Sequence, residues 1–100
     1  MEAILSALKQ VDGVARSSDA GEVLESTGRL DAETLCAVAA VASGALAEIK
    51  GVLGAGALQR WYFVTEQHSY FVSERGPERV VAVGDAAKNP EPTSKTLQSV

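Results

Sequence analysis

The pattern of apolar and polar positions changes period near residue 54, from helical spacing before it to strand alternation after it. In residues 2–11, EAILSALKQV, the apolar Ile4, Leu5, Leu8 and Val11 recur at the spacing of one helical face. Asp12-Gly13 then reads as the stop. Residues 14–27 predict a hairpin that turns at Asp19, Ala20 and Gly21 and returns through Val23; Arg16, Ser17 and Ser18 make its first strand a weak one. Asp31 is placed to cap a long helix with its carboxylate, and Glu33 suits the positive end of the helix dipole. That helix is predicted to run to about Leu53, where Gly51, Gly54 and Gly56 punctuate an uncharged connector, GVLGAGAL. Beyond it, Leu58, Arg60, Tyr62 and Val64 alternate with Gln59, Trp61, Phe63 and Thr65. Both sets carry large apolar groups, so this strand is expected to be covered on both faces. Polar residues Gln67, His68 and Ser69 turn into YFVSE, and Arg75, Gly76 and Pro77 turn into RVVAVG, a three-stranded meander. Pro90 and Pro92 preclude strand or helix through that point. The last residues, TSKTLQSV, are either a short helix docked by Leu97 and Val100 or a frayed tail.

The resulting order is helix, hairpin, long helix, meander and a short C-terminal element. It predicts an α+β domain, a five-stranded antiparallel sheet with helices packed on it, over residues 1–86, followed by a tail or short helix over 87–100. One hundred residues make one domain with a modest core, a size at which oligomerisation commonly supplements stability.

The long helix is unusual in being apolar nearly all round. From Leu35 to Leu46 it reads LCAVAAVASGAL, with no charge. At roughly 100° per residue, Leu35, Val38, Ala39, Ala42, Leu46 and Ile49 share the side expected to meet the core. Opposite them lie Ala37, Ala40, Val41, Gly44, Ala47 and Glu48. Within that side the seam Ala37, Ala40, Gly44, Ala47 has nothing larger than a methyl group, so another helix could approach it closely, and a two-fold axis would supply an identical one. An ordinary exposed helix face carries Lys and Glu, and this one has none before Glu48. Ala37, Ala40, Val41, Gly44 and Ala47 are therefore the candidate dimer interface. Trp61 and Phe63 join it from the meander's first strand, Trp61 being equally suited to anchor an edge-strand interface or to pack in the core. The uncharged stretch is shorter than the ~20 residues a bilayer needs and is bracketed by Asp31, Glu33, Glu48 and Lys50, so no membrane insertion is expected.

Candidate chemistry is sparse. A net charge of -4, with nine Lys and Arg scattered singly, offers no patch to neutralise phosphates, and nucleic acid is not an expected partner. MEAILSALKQ has neither the charged nor the apolar region of a signal peptide, which leads to an expectation of cytoplasmic location. Cys36, the single cysteine, sits among apolar residues as a small hydrophobe with no base nearby. No phosphate-binding loop motif is present. GVLGAGAL follows a helix and precedes a strand, the wrong order for a dinucleotide fingerprint. His68 reads as a solvated loop residue and, as the single histidine, has no second imidazole for a metal site. Glu22 and Glu25 read as the surface of a strand edge. No catalytic, cofactor-binding or metal-binding residue is assigned, and no enzymatic activity is expected.

LKQVDGV at the end of the first helix, AGEVL at the hairpin, and TGRLDAETLCAVAAVASGALAEIKGVLGAGALQRWYFVTEQHSYFVSERG together resemble the roadblock or dynein-light-chain family, close in fold to profilin and longin domains. The resemblance covers about residues 2–84 and is to the bacterial single-domain type. It implies a homodimer, or a heterodimer with a sister roadblock chain, in which second helices pack antiparallel and third strands pair edge to edge. It also implies a platform for a Ras-like small GTPase, working without a catalytic arginine finger, so neither Arg60 nor Arg75 is assigned that role. Exposed Glu48, Lys50 and Arg60 would then tune charge complementarity. The alternative is a small-molecule sensing domain of PAS-like or profilin-like architecture. A sensor would hide polar groups among apolar ones, and the strand alternation shows no isolated buried polar residue.

Overall fold

The computed structural model describes residues 1–8 and 10–100. Its elements follow in the order α1 (Glu2–Ala7), β1 (Val11–Ser18), β2 (Val23–Gly28), α2 (Ala32–Leu53), β3 (Arg60–Val64), β4 (His68–Arg75), β5 (Glu78–Asp85) and α3 (Glu91–Ser99). The strands form one antiparallel sheet in the order β2-β1-β5-β4-β3, the α+β arrangement expected from the sequence. Helix α2 covers one face, where Ala15, Cys36, Ala39, Val72 and Val81 close up. Helices α1 and α3 cover the other over Leu8, Val14, Phe71, Val80 and Leu97. β2 and β3 are left as the two sheet edges.

The first helix is shorter than its periodicity predicts. It ends at Ala7, Leu8 is extended, and Val11, Asp12 and Gly13 belong to β1; Lys9, inside the predicted helix, lies outside the described residues. Gly13 is a strand residue and not a helix stop, because the chain leaving β2 crosses it. A Cβ there would stand 2.7 Å from the Arg29 carbonyl oxygen, and the Arg29 amide donates to Asp12 O at 2.8 Å. Hydrophobic period alone could not separate helix from strand over so short a run.

The strand predicted to be weak is an interior one, paired with β2 and β5. Its arginine has partners across the sheet. Arg16 bonds Glu78 at 2.8 Å and lies 3.5 Å from Glu25, while Ser17 is fully buried. Arg79 is also buried, its Nε donating to both Glu74 carboxylate oxygens, at 3.2 and 3.0 Å, and one NH group to the Asp19 carbonyl at 3.3 Å. Isolated buried polar residues therefore exist, contrary to the sequence reading. Among the described residues Ser17 Oγ and Ser73 Oγ have no hydrogen-bond partner.

Pro90 and Pro92 do not prevent a helix; they start one. Pro90 is the cap of α3 and Pro92 sits in its first turn, where the missing amide hydrogens would have no helical partner anyway. Leu97 docks α3 on the sheet and is 1% exposed, while Val100, just past the helix end, is exposed. His68 is the first residue of β4, and Ser69 beside it is buried, its hydroxyl accepting from the Ala87 amide at 2.7 Å.

Candidate interaction surface

Asp31 starts α2 as expected, its carboxylate accepting from the Thr34 amide at 3.2 Å, and Gly54 in the left-handed conformation ends it. What differs is the rotation. α2 turns small residues to the sheet, Cys36, Ala39 and Ser43, while Val38 and Ile49, expected in the core, are 50% and 54% exposed. Two contacts set this rotation. The hairpin turn presses against the helix, so that a Cβ on Gly21 would stand 3.1 Å from Ala40 Cβ, and Trp61 Nε1 donates to Ser43 Oγ at 2.9 Å. Only small side chains fit a helix held this close.

The small-residue seam is accordingly divided. Ala37 and Gly44 are exposed, Gly44 with open space around it among the described residues, whereas Ala40 and Ala47 are half-buried and Ala40 is committed to the hairpin. Val41, 76% exposed, stands on the free side. The face pointing away from the sheet is instead a stripe of larger residues, Val38, Val41, Ala45, Ile49 and Val52, with Leu53 beside its end. The sequence did hold this signal, since the stripe keeps helical spacing. The wheel alone had no means of choosing which apolar side the sheet would take.

Edge strand β3 continues the apolar surface. Trp61 packs inward through Ser43 and Val72, and Phe63 is 44% exposed and stacks between Trp61 and Tyr70, with ring centroids 6.2 and 4.7 Å away. These rings wall a groove of about 460 Å³ between the N-terminal half of α2 and the sheet, floored by Leu35, Ala39 and Val72. Trp61 thus serves the core and the surface together.

On the opposite face β3 is tied to α3. Arg60 donates to Glu91 at 2.6 Å and to Ser94 Oγ at 3.0 Å, and Arg75 donates to the carbonyls of Leu97 and Val100. Both guanidinium groups therefore pin the two ends of α3, and Arg60 is not the exposed tuning charge expected of it. The Arg60 hydrogen bond, with a second from Tyr62, holds the Glu91 carboxyl below its usual range. A carboxyl whose folded pKa is depressed adds stability above its ordinary value of 4.5, and the contribution is lost as pH falls through the lower folded value. Glu91→Gln is therefore expected to lower Tm at pH 7, and its gap from the parent protein should narrow as the pH is taken progressively below 4.5, as thermal unfolding across an acid pH series would show.

Cys36 is buried, and burial pushes its thiol pKa up, away from nucleophilic character. No group of three His, Cys, Asp or Glu residues among the described residues is placed to hold a metal ion. By length and composition α2 would pass for a membrane span. In the fold one side of it is committed to the sheet, and Glu33, Glu48 and Lys50 lie along it.

The Roadblock/LC7 domain from Streptomyces avermitilis superposes with a TM-score of 0.82 at 14% identity, over 100% of this chain and 90% of that one. The fold is roadblock-like. Gliding protein MglB from Thermus thermophilus follows the same path with a TM-score of 0.81 at 21% identity, over 98% of this chain and 76% of its own. Profilin II from Acanthamoeba castellanii is a more distant likeness, at TM-score 0.64 and 12% identity over 95% and 82% of the two chains. The sequence matches no family model and no curated protein. In roadblock-like terms the apolar surface found here consists of the second helix and the third strand.

Proposed function

We propose that this chain is a non-enzymatic, dimeric scaffold or regulator of a Ras-like small GTPase, a homodimer or a heterodimer with a sister roadblock chain, acting in the cytoplasm. The observation that carries the reading is the continuous apolar surface of α2 and edge strand β3 on a roadblock-like fold. Four large side chains of the stripe are half or more exposed, and an apolar patch of that kind on a small domain marks an interface. The β3 edge presents unpaired backbone groups beside it, which a two-fold copy of the same strand would satisfy. A solved arrangement of the structural neighbour MglB is tetrameric, which supports a surface used for assembly. The GTPase itself comes from the family resemblance.

Gel filtration of the protein with a Ras-like GTPase, loaded in turn with GTP and GDP, tests this. A shift of the dimer peak in one nucleotide state is expected, and calorimetry with GTP or GDP alone should show no heat. Tight binding of a nucleotide by the protein alone would contradict the reading. The aromatic-walled groove favours the second reading, a small-molecule sensor, since its volume lies in the range of ligand pockets.

A further inference from the structure

We propose that the seat of α3 on the sheet is a docking site for a short helix of another protein, and that α3 fills it in the single chain as a displaceable stand-in. The helix that fits carries a carboxylate in its first turn, a small polar residue three positions on and an aliphatic residue six positions on. The seat lies on the sheet face opposite α2, apart from the surface assigned above.

The first observation is how little apolar contact holds α3. Of its nine residues Ser94 and Leu97 are buried, and Leu97 is the one that joins the core cluster of Phe71 and Val80. A helix this short has little stability of its own in water and depends on such packing. Its other attachments are polar and made through side chains. Arg60 holds Glu91 and Ser94, Arg75 holds the last carbonyls, and Gln98 donates to Gln59 at 3.0 Å.

The second observation is that the seat is imperfectly matched to α3. Phe71, Ser73 and Arg75 alternate onto the face of β4 that α3 covers. Among the described residues, Ser73 Oγ and Arg75 Nε are buried there without hydrogen-bond partners. Polar atoms buried unpaired oppose docking, and undocking returns them to water. A short element with one apolar anchor and two such atoms beneath it opens ahead of the rest of a fold.

The third observation is that the seat keeps its recognition groups when α3 leaves, because they belong to the strands. Arg60 begins β3 and Arg75 ends β4. One meets a first-turn carboxylate and the other the last carbonyls, so together they match the charge preference at the two ends of any helix. Between them Tyr62 and Phe71, with ring centroids 6.2 Å apart, floor the seat. Glu91, Ser94 and Leu97 stand three residues apart on one face of α3, the few spaced anchors by which a groove takes an amphipathic helix.

A fluorescein-labelled peptide of residues 88–100, KNPEPTSKTLQSV, tests the seat by anisotropy against the full chain. In the parent protein the tethered α3 competes at high effective concentration, so the peptide should bind weakly. Leu97→Asp removes the anchor of the tethered helix, and Lys95→Pro breaks that helix at an exposed position. Each should bind the peptide about tenfold or more tighter than the parent protein does. Adding Arg75→Gln to Lys95→Pro should weaken the binding again. Hydrogen exchange of the parent protein should show α3 amides exchanging about tenfold or more faster than those of β5. Exchange of α3 no faster than β5 would overturn the proposal. So would loss of the fold in both variants, which would make α3 integral, or peptide binding no tighter than the parent's in a variant whose circular dichroism shows the sheet intact.

Discussion

Gly28→Ala should strongly destabilise the fold while leaving it folded at ordinary temperatures. Gly28 ends β2 at φ +85°, a conformation that alanine adopts only with strain, and a Cβ there would run into the Asp12 carbonyl oxygen and the Cα of Gly13. Both obstacles are backbone, and neither can swing aside. Strain of about 1 kcal/mol and overpacking of about 2 kcal/mol add to roughly 3 kcal/mol. In a domain of this size that lowers Tm by about 12 °C or more. Gly51→Ala is the matched control, because it is helical and a Cβ there meets open space among the described residues. The control should keep or slightly raise Tm, by up to about 1 kcal/mol of helix propensity. Thermal unfolding followed by circular dichroism would read both; equal melting of Gly28→Ala and the parent protein would mean that the β2–α2 corner is built differently.

The structure also explains why some features are legible in the sequence and others are not. Helix α2 is readable from its Asp31 cap and Gly54 stop, and the meander from period-two alternation bounded by Gly76-Pro77, because these signals are local. β1 is not, since Arg16 and Ser17 are polar; Arg16 becomes tolerable inside the sheet only through Glu78, a partner far along the chain, and Ser17 is small enough to be buried there without a hydrogen-bond partner. The α3 start escapes the pattern because Pro90 and Pro92 are breakers in a helix interior and acceptable in a first turn, and pattern alone does not say which turn a proline will occupy. At the candidate surface, a helix apolar on every side is visible from Leu35 onward. Which side it buries depends on the Trp61–Ser43 bond and on the hairpin pressing at Ala40, contacts made only in the folded chain. The small-residue seam thus becomes the sheet contact in part, and the larger Val41, already a candidate, gains Val38, Ile49 and Val52 as neighbours on the free face.

Val41→Asp should abolish self-association while leaving the folded chain intact. Val41 is 76% exposed in the single chain, so the substitution removes little from the core. In a dimer built on this surface the substitution is present twice, once in each chain. Burying an unpaired carboxylate in place of an apolar group costs several kcal/mol at each copy, enough to raise Kd by more than about a hundredfold. Ala40→Arg is a poor substitute, because Ala40 packs on the hairpin turn and the variant would damage the monomer itself.

The most direct test is the solution mass of the unaltered chain, by light scattering across a dilution series from high to low micromolar concentration. Two chains of 10.4 kDa travelling together, and separating in the Val41→Asp variant at the same concentration, is the result expected of a two-fold platform built on α2 and β3. A mass of one chain throughout the series would contradict it.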